Sequence, residues 1–182
     1  EIYKGIVKNI VPAIKCAFID IGHKKNVYMY IDNKFKNTKL KKGEEILVQV
    51  IKEDLGSKGA KVTNAISIPG RYCVLMNIDK DISFSKKIDD KSLKEDICRN
   101  IEKPKDIGLM IRTNAVSVSI ETINEEINKL YSTYTEICSK AKFSVKPGVL
   151  YNAGGILGRV LRDKISGLNC KIYVDSKEDY DY

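Results

Sequence analysis

At 182 residues the chain is long enough for one ordinary domain or two small ones, and its 43% apolar content is typical of a folding sequence and not of a disordered one. No apolar run approaches the ~18–20 residues that span a bilayer, and no charged segment followed by an apolar one indicates a secretory signal. The net charge of +8 is concentrated in residues 1–42, which hold ten Lys or Arg against three Asp or Glu. This segment predicts a polyanionic partner such as RNA or DNA, although a solvated lysine-rich surface would have the same composition.

The first part of the chain, to about residue 66, is rich in short strand-like runs separated by turn residues. We predict strands at Ile2–Val11, Ala13–Ile21, Asn26–Ile31, Glu44–Glu53 and Ala60–Ile66. Five short strands at this spacing predict a small closed β-barrel.

After Gly70 the pattern changes to an α+β unit. The predicted elements are, in chain order, a strand at Tyr72–Met76, a charged loop or hairpin at Asp79–Asp90, a helix opened by a capping box at Ser92–Glu95 and ended by Pro104, a strand at Gly108–Thr113 and a long helix with apolar residues from Ile120 to Ala141. Ser119 or Thr122 is expected to cap the long helix.

The last part of the chain predicts a short helix at Ile156–Ile165, a strand at Cys170–Val174 and an acidic tail without regular structure. A lone strand and helix make a poor domain. Because the chain also opens on Glu1 and not on Met, we expect it to be a piece of a longer protein, with its last segment truncated.

The five cysteines, at positions 16, 73, 98, 138 and 170, include no Cys-x-x-Cys pair, and His23 is the only histidine. Structural zinc needs about four ligands with local pairing, so we expect no zinc site in this chain. The cysteines are interpreted as reduced, buried thiols of a cytoplasmic protein.

Two aromatic residues, Phe18 and Tyr28, are candidates for base stacking. They lie ten positions apart on two strands that we expect to be antiparallel neighbours, so their side chains are expected to stand side by side, and Tyr30 shares the parity of Tyr28. Such pairs stack on the bases of single-stranded nucleic acid. The alternative is that Phe18 belongs to the core; the basic surroundings favour RNA.

A glycine-flanked lysine and a tight turn follow the fourth predicted strand. Gly56-Ser57-Lys58-Gly59 places a cation in a loop where glycines permit close backbone approach, which suits an anion such as phosphate. The turn at Pro69-Gly70 separates this loop from the strand at Tyr72–Met76.

These motifs together resemble those of a known family. GIVKNIVPAIKCAFIDIG followed by KNVYMYI resembles an S1-type RNA-binding barrel of the OB class, and EEILVQVIKEDLGSKGAKVTNAISIPGRYCVLM, FSKKI and GLMIRT are similar in order and spacing to the ribonuclease E/G family. The resemblance implies an S1-type barrel over residues 1–68, a 5′-sensor subdomain over 69–145 and the start of a ribonuclease-H-like subdomain over 146–182.

The resemblance implies a role for several residues. Phe18 and Tyr28 would stack on RNA bases and Lys58 would contact the RNA backbone. The residues implied to hold a 5′-monophosphate are Gly70, Val74, Lys86, Arg112 and Thr113. From the residues alone, Arg112 supplies a planar two-pronged cation beside the Thr113 hydroxyl, which suits a phosphate monoester, whereas an isolated surface arginine more often forms an ion pair.

The sequence departs from the family pattern at three places. Lys86 stands where the family has an arginine and lacks its two-pronged geometry, so we expect a less selective anion site. Tyr28 replaces a phenylalanine and keeps the ring face. Asn114-Ala115 replaces a pair of small residues, which puts the shape of that loop in doubt.

The resemblance further implies a Mg²⁺-dependent, homo-oligomeric parent endoribonuclease whose metal-binding aspartates lie beyond Tyr182. The chain itself is therefore expected to bind single-stranded RNA, preferably with a 5′-monophosphate, without cutting it, and to need no cofactor or membrane. Two alternatives are a non-catalytic RNA-binding factor with an S1 barrel and a protein-interaction scaffold with a basic surface.

Overall fold

The computed structural model describes residues 1–53, 59–165 and 171–181 of the chain. Within these ranges it forms two compact units, Glu1–Tyr151 and Asn152–Tyr182. The strands are β1 (Ile2–Val11), β2 (Cys16–Asp20), β3 (Val27–Tyr30), β4 (Glu45–Lys52), β5 (Lys61–Thr63), β6 (Ser67–Pro69), β7 (Cys73–Met76), β8 (Ile82–Phe84), β9 (Gly108–Ile111) and β10 (Gly148–Tyr151). The helices are α1 (Lys91–Asn100), α2 (Ile120–Phe143), α3 (Gly155–Lys164) and α4 (Lys177–Asp181).

The first five strands close into a barrel in the order β1-β2-β3-β5-β4, and β4 pairs back onto β1. All of these pairings are antiparallel except β3 with β5, which is parallel. The barrel core is built from alternate residues of the strands and one flanking residue: Tyr3, Val7, Ile19, Ile21, Val27, Met29, Val48 and Val62. The prediction of an α+β chain with a five-stranded barrel is confirmed.

A second sheet has the strand order β6-β7-β9-β8. Its pairings are antiparallel except β8 with β9, which is parallel. Helix α2 contributes Ile123, Ile127 and Leu130 to the core beneath this sheet, and α1 contributes Ile97. The amphipathic period that predicted α2 therefore corresponds to the buried face of that helix.

Strand β1 is buried along its first residues, from Ile2 to Gly5. Tyr3 belongs to the barrel core, whereas Ile2 packs into the core of the second sheet. Lys4 is also buried; its Nζ lies 2.8 Å from a Glu45 carboxylate oxygen and donates at 2.5 Å to the carbonyl oxygen of Ser144, which caps the C-terminus of α2. One lysine therefore ties the first strand of the barrel to the end of the long helix.

Several predicted elements differ from the structure. The segment Asp79–Asp90 contains β8, which pairs with β9, instead of a loop or a local hairpin. The N-cap of α1 is Asp90, whose side chain accepts from the backbone N–H of Leu93, so the capping box predicted at Ser92 is wrong. For α2 the cap is Ser119, one of the two predicted candidates.

The second unit contains α3 and α4. Helix α3 agrees with the predicted helix within one residue at each end. Residues 171–174 have no strand, contrary to the prediction, and Lys177–Asp181 is helical instead of an irregular tail. Across the described ranges, no helix combines the length and the apolar character that crossing a bilayer requires. The boundaries predicted at residues 68 and 145 stay predictions.

Candidate functional site

Three aromatic residues, Phe18, Tyr28 and Tyr30, lie on the outside of the barrel, across β2 and β3. Phe18 is directly opposite Tyr28 in the antiparallel register, as predicted from the sequence. The Tyr28 and Tyr30 rings meet edge to face with centroids 5.9 Å apart, and Tyr30 is 48% exposed. Neither Phe18 nor Tyr28 is among the barrel-core residues. The alternative that Phe18 is a core residue is therefore not supported.

Lys61, which the sequence did not indicate as a site residue, lies beside these aromatic residues. Its Nζ lies 4.7 Å from the centroid of the Tyr30 ring, and its backbone pairs with Tyr28 in the parallel register of β3 and β5. We call the four residues Phe18, Tyr28, Tyr30 and Lys61 the aromatic face. A cation beside exposed rings provides both charge and stacking surface. The parallel pairing that brings Lys61 here has no local sequence pattern.

The loop with the candidate residue Lys58 lies outside the described residues, except for its last glycine. A Cβ atom at Gly59 would overlap the carbonyl oxygen of Asn26, next to β3. Glycine at this position therefore permits the close approach of two backbone segments. The predicted contact between Lys58 and RNA stays a prediction.

The five residues implied to hold a 5′-phosphate lie at one end of the second sheet. Gly70 follows β6, Val74 lies in β7 opposite Pro69, and Arg112 and Thr113 follow β9. Lys86 is exposed two residues beyond the end of β8. Because β8 and β9 are parallel, their carboxyl ends lie at this same end of the sheet. The structure thus brings together residues that are up to 43 positions apart in the sequence.

Arg112 is held against the turn Gly70–Cys73, which follows β6. Its Nη1 donates to the carbonyl oxygen of Gly70 at 2.6 Å, and its backbone N–H donates to the carbonyl oxygen of Tyr72 at 2.7 Å. The N–H of Gly70 donates to the carbonyl oxygen of Cys73 at 2.8 Å. Both backbone groups of Gly70 are therefore engaged within the protein, and the guanidinium has a fixed point of attachment beside the turn.

Two hydroxyl groups, of Ser85 and Thr113, lie next to each other at this end of the second sheet. The Thr113 Oγ1 lies 3.3 Å from the Ser85 Oγ, and the backbone N–H of Ser85 donates to the carbonyl oxygen of Ile111 at 2.8 Å. Ser85 immediately precedes Lys86. The loop whose shape was in doubt forms a short 3₁₀ helix over Thr113–Ser117, with Ala115 buried.

Glu126 of α2 was not identified from the sequence, yet its carboxylate accepts from three successive backbone N–H groups of the turn. The backbone N–H groups of Arg71, Tyr72 and Cys73 donate to its carboxylate at 2.6, 2.7 and 2.9 Å. Its position within the amphipathic period of α2 was the available indication. Glu126 lies three residues after the buried Ile123 and four before the buried Leu130, which is the spacing of one side of a helix.

Two further side chains at the turn differ in what they offer a ligand. Burial and, to a smaller extent, the nearby Glu126 carboxylate raise the pKa of Cys73. This thiol therefore stays protonated and unreactive near neutral pH. The Arg71 guanidinium lies 5.4 Å from the centroid of the Tyr72 ring, and its buried Nε has no hydrogen-bond partner among the described residues. Arg71 is therefore a further cation at the turn.

The remaining cysteines correct one expectation. Cys16 is buried like Cys73, but Cys98 is exposed and Cys138 is half-buried, so the described thiols are not uniformly buried. The described residues do not bring three or more His, Cys, Asp or Glu side chains together as a metal site would.

Comparisons with known proteins relate most of the chain to ribonucleases. A family model described as "Ribonuclease E/G family" matches residues 67–182. Putative ribonuclease E of Buchnera aphidicola subsp. Baizongia pistaciae is 33% identical, covering 98% of this chain and 48% of that protein. Ribonuclease E of Nostoc sp. (strain PCC 7120) is 32% identical over 97% of this chain and 28% of its own length. Ribonuclease G of Salmonella typhimurium is 28% identical over 100% of this chain and 41% of its own length. The chain thus spans less than half the length of these relatives.

Proposed function

This chain belongs to the ribonuclease E/G family, and from that premise we propose that it binds single-stranded RNA and recognises an RNA 5′-monophosphate, as part of an endoribonuclease that acts in RNA processing and decay. The observation that carries the proposal is the pairing of Phe18 with Tyr28 on the outside of the barrel. Exposed aromatic rings beside a cation are the combination that binds single strands without a strict sequence requirement.

On the aromatic face, the bases stack and the phosphates are neutralised by neighbouring lysines. The edge-to-face contact with Tyr28 and the position of Lys61 hold the Tyr30 ring beside the Phe18–Tyr28 pair. A base stacked there has Lys61 within reach of its phosphate. The excess of basic residues in positions 1–42, which include β1 to β3, supports the same partner.

At the same end of the second sheet, side chains that follow β8 and β9 bind the terminal phosphate of the RNA. The Arg112 guanidinium supplies charge and directed N–H groups, the Thr113 hydroxyl supplies a further donor, and Lys86 supplies a point charge. Gly70 and Val74 form the wall of this site through the turn and β7. Arg71 adds the second guanidinium that Lys86 does not provide at its position.

A binding experiment with three short RNAs of one sequence tests the proposal. The RNAs carry a 5′-monophosphate, a 5′-triphosphate or a 5′-hydroxyl group, and their dissociation constants are measured by fluorescence anisotropy at low salt. We expect the monophosphate to bind most tightly to the wild type and Arg112→Lys to lose that preference. Arg99→Lys, an exposed arginine of α1, is the matched control and should retain it.

The two halves of the proposal fail separately. Equal affinity of the wild type for the three RNAs would refute recognition of the 5′-monophosphate and leave single-strand binding intact. No measurable affinity for any of the RNAs at low salt would refute both halves, because phosphate contacts are strongest there.

A further inference from the structure

The contacts of Glu126 give it a role that depends on the proposed 5′-phosphate site. We propose that Glu126 is the positioning residue of that site: its carboxylate holds the turn Gly70–Cys73, and the turn in turn holds the Arg112 guanidinium. Glu126 itself is not a ligand of the phosphate. The inference rests on the proposed function, and the experiment below separates failure of one from failure of the other.

The first step is the arrangement of three successive N–H groups around one carboxylate. Successive backbone N–H groups that converge form a concave site for anions, which in many proteins is filled by phosphate. Here the N–H groups of Arg71, Tyr72 and Cys73 all point to the Glu126 oxygens, at 2.6–2.9 Å. Hydrogen bonds to an ionised acceptor are about twice as strong as neutral ones. The Glu126 carboxylate of α2 therefore occupies the anion site that these three N–H groups form.

The second step explains why residue 70 is a glycine. A Cβ atom at Gly70 would lie 2.5 Å from the Glu126 Cδ and 2.5 Å from its Oε2, closer than any side chain tolerates. The absence of a side chain thus admits the Glu126 carboxylate. It follows that the N–H groups of Arg71, Tyr72 and Cys73 are not available to an RNA phosphate, which must be bound by side chains instead.

The third step links the turn to Arg112. Three N–H groups of the turn donate to Glu126, whereas its carbonyl groups at Gly70 and Tyr72 accept from the guanidinium and the backbone N–H of Arg112, respectively. In Glu126→Gln, an NH₂ group that donates replaces one of the two accepting oxygens. At least one of the three partly buried N–H groups then loses its acceptor, and the turn must move to find another. Any such movement displaces both carbonyl groups that orient Arg112. Removal of the Glu126 carboxylate should therefore weaken recognition of the 5′-phosphate and leave base stacking at the barrel unchanged.

The test compares Glu126→Gln with Glu125→Gln, which removes the same charge from an exposed position of the same helix. The readout is the ratio of affinities for 5′-monophosphorylated and 5′-hydroxyl RNA. We expect Glu126→Gln to lose the preference for the monophosphate while it binds 5′-hydroxyl RNA like the wild type. Glu125→Gln should keep the wild-type ratio. An unchanged ratio in Glu126→Gln would overturn the inference, whereas a wild type without any preference would overturn the proposed function instead.

A measurement on the wild type keeps the inference testable if Glu126→Gln does not fold. In ¹⁵N-labelled protein the amides of Arg71, Tyr72 and Cys73 should exchange slowly with solvent. Addition of 5′-monophosphorylated RNA should shift the signals of Arg112 and Thr113 and leave those three amides protected. Large shifts of the three amides instead would show that the phosphate displaces Glu126, and the positioning role would be wrong.

Discussion

Replacing Phe18 with leucine tests the aromatic face directly. Leucine keeps most of the apolar contact that a half-buried side chain makes with the barrel surface, and it removes the flat ring on which a base can stack. Because Phe18 lies directly opposite Tyr28, the second substitution of interest is Tyr28→Leu. The double variant completes a cycle that tests whether the two rings act on one base or on two.

The expected magnitude follows from the geometry. A base stacked on an aromatic side chain contributes about 1–3 kcal/mol, which corresponds to a loss of affinity of roughly fivefold to 150-fold. Side chains directly opposite on antiparallel strands have Cβ atoms about 4.5–5.5 Å apart, so the two rings can bind adjacent bases. In that case the losses add in the double variant; if both rings contact one base, the double variant loses little more than the worse single variant.

The assay is fluorescence anisotropy with a short unstructured 5′-hydroxyl RNA, repeated at several salt concentrations. The control is Phe143→Leu, because Phe143 is 77% exposed at the end of α2 and lies outside the aromatic face. Stacking releases no counterions, so Phe18→Leu should lower the affinity equally at each salt concentration. Lys61→Met, in contrast, should reduce the slope of affinity against salt.

The reasoning is refuted if Phe18→Leu and Phe143→Leu bind RNA with the same affinity at low salt while urea unfolding shows that both variants are folded. A loss that disappears at high salt would also contradict it, because the contribution of Phe18 would then be electrostatic and not due to stacking.

Three further outcomes are expected. Lys4→Met should lower the free energy of unfolding by about 1–3 kcal/mol in urea titrations, because it removes a buried charged donor, whereas Lys140→Met, which breaks an exposed pair, should cost about 0.5 kcal/mol or less. At pH 8 an alkylating reagent followed by mass spectrometry should modify exposed Cys98 before Cys73, whose pKa is raised chiefly by burial. The pKa of Tyr3 is raised to about 12, first by burial, so the folded state keeps a proton that the unfolded state loses above its ordinary pKa of 10. Stability should therefore fall between pH 10 and 12, and Tyr3→Phe should remove on the order of 2 kcal/mol of that fall.

The barrel strands were predictable because their residues alternate between core and surface. β1 begins and ends at the predicted residues, and the opposition of Phe18 and Tyr28 followed from a short turn between two antiparallel strands. Helix α2 was predictable because its apolar residues recur over its whole length. In each case the pattern repeats locally and reports burial on one side.

The elements that the sequence did not reveal depend on partners far away in the chain. β6, β8 and β10 have only three or four residues each, too few to establish a period. β8 is stabilised by parallel pairing with β9, which begins more than 20 positions later. The cap of α1 was misassigned because Asp90 and Ser92 are both good N-cap residues, and only the backbone determines which one accepts from N3.

The same dependence on distant partners explains how the two glycine motifs relate to binding. From the sequence, each looks like a place where a backbone approaches a phosphate. In the structure the close approach at Gly59 is to the carbonyl oxygen of Asn26, and at Gly70 it is to the carboxylate of Glu126. Glycine at both positions lets the protein pack against itself, and this packing places Lys61 beside Tyr30 and Arg112 beside the turn. If the proposed function is right, substitutions at the two glycines should act on RNA binding through the side chains that this packing positions.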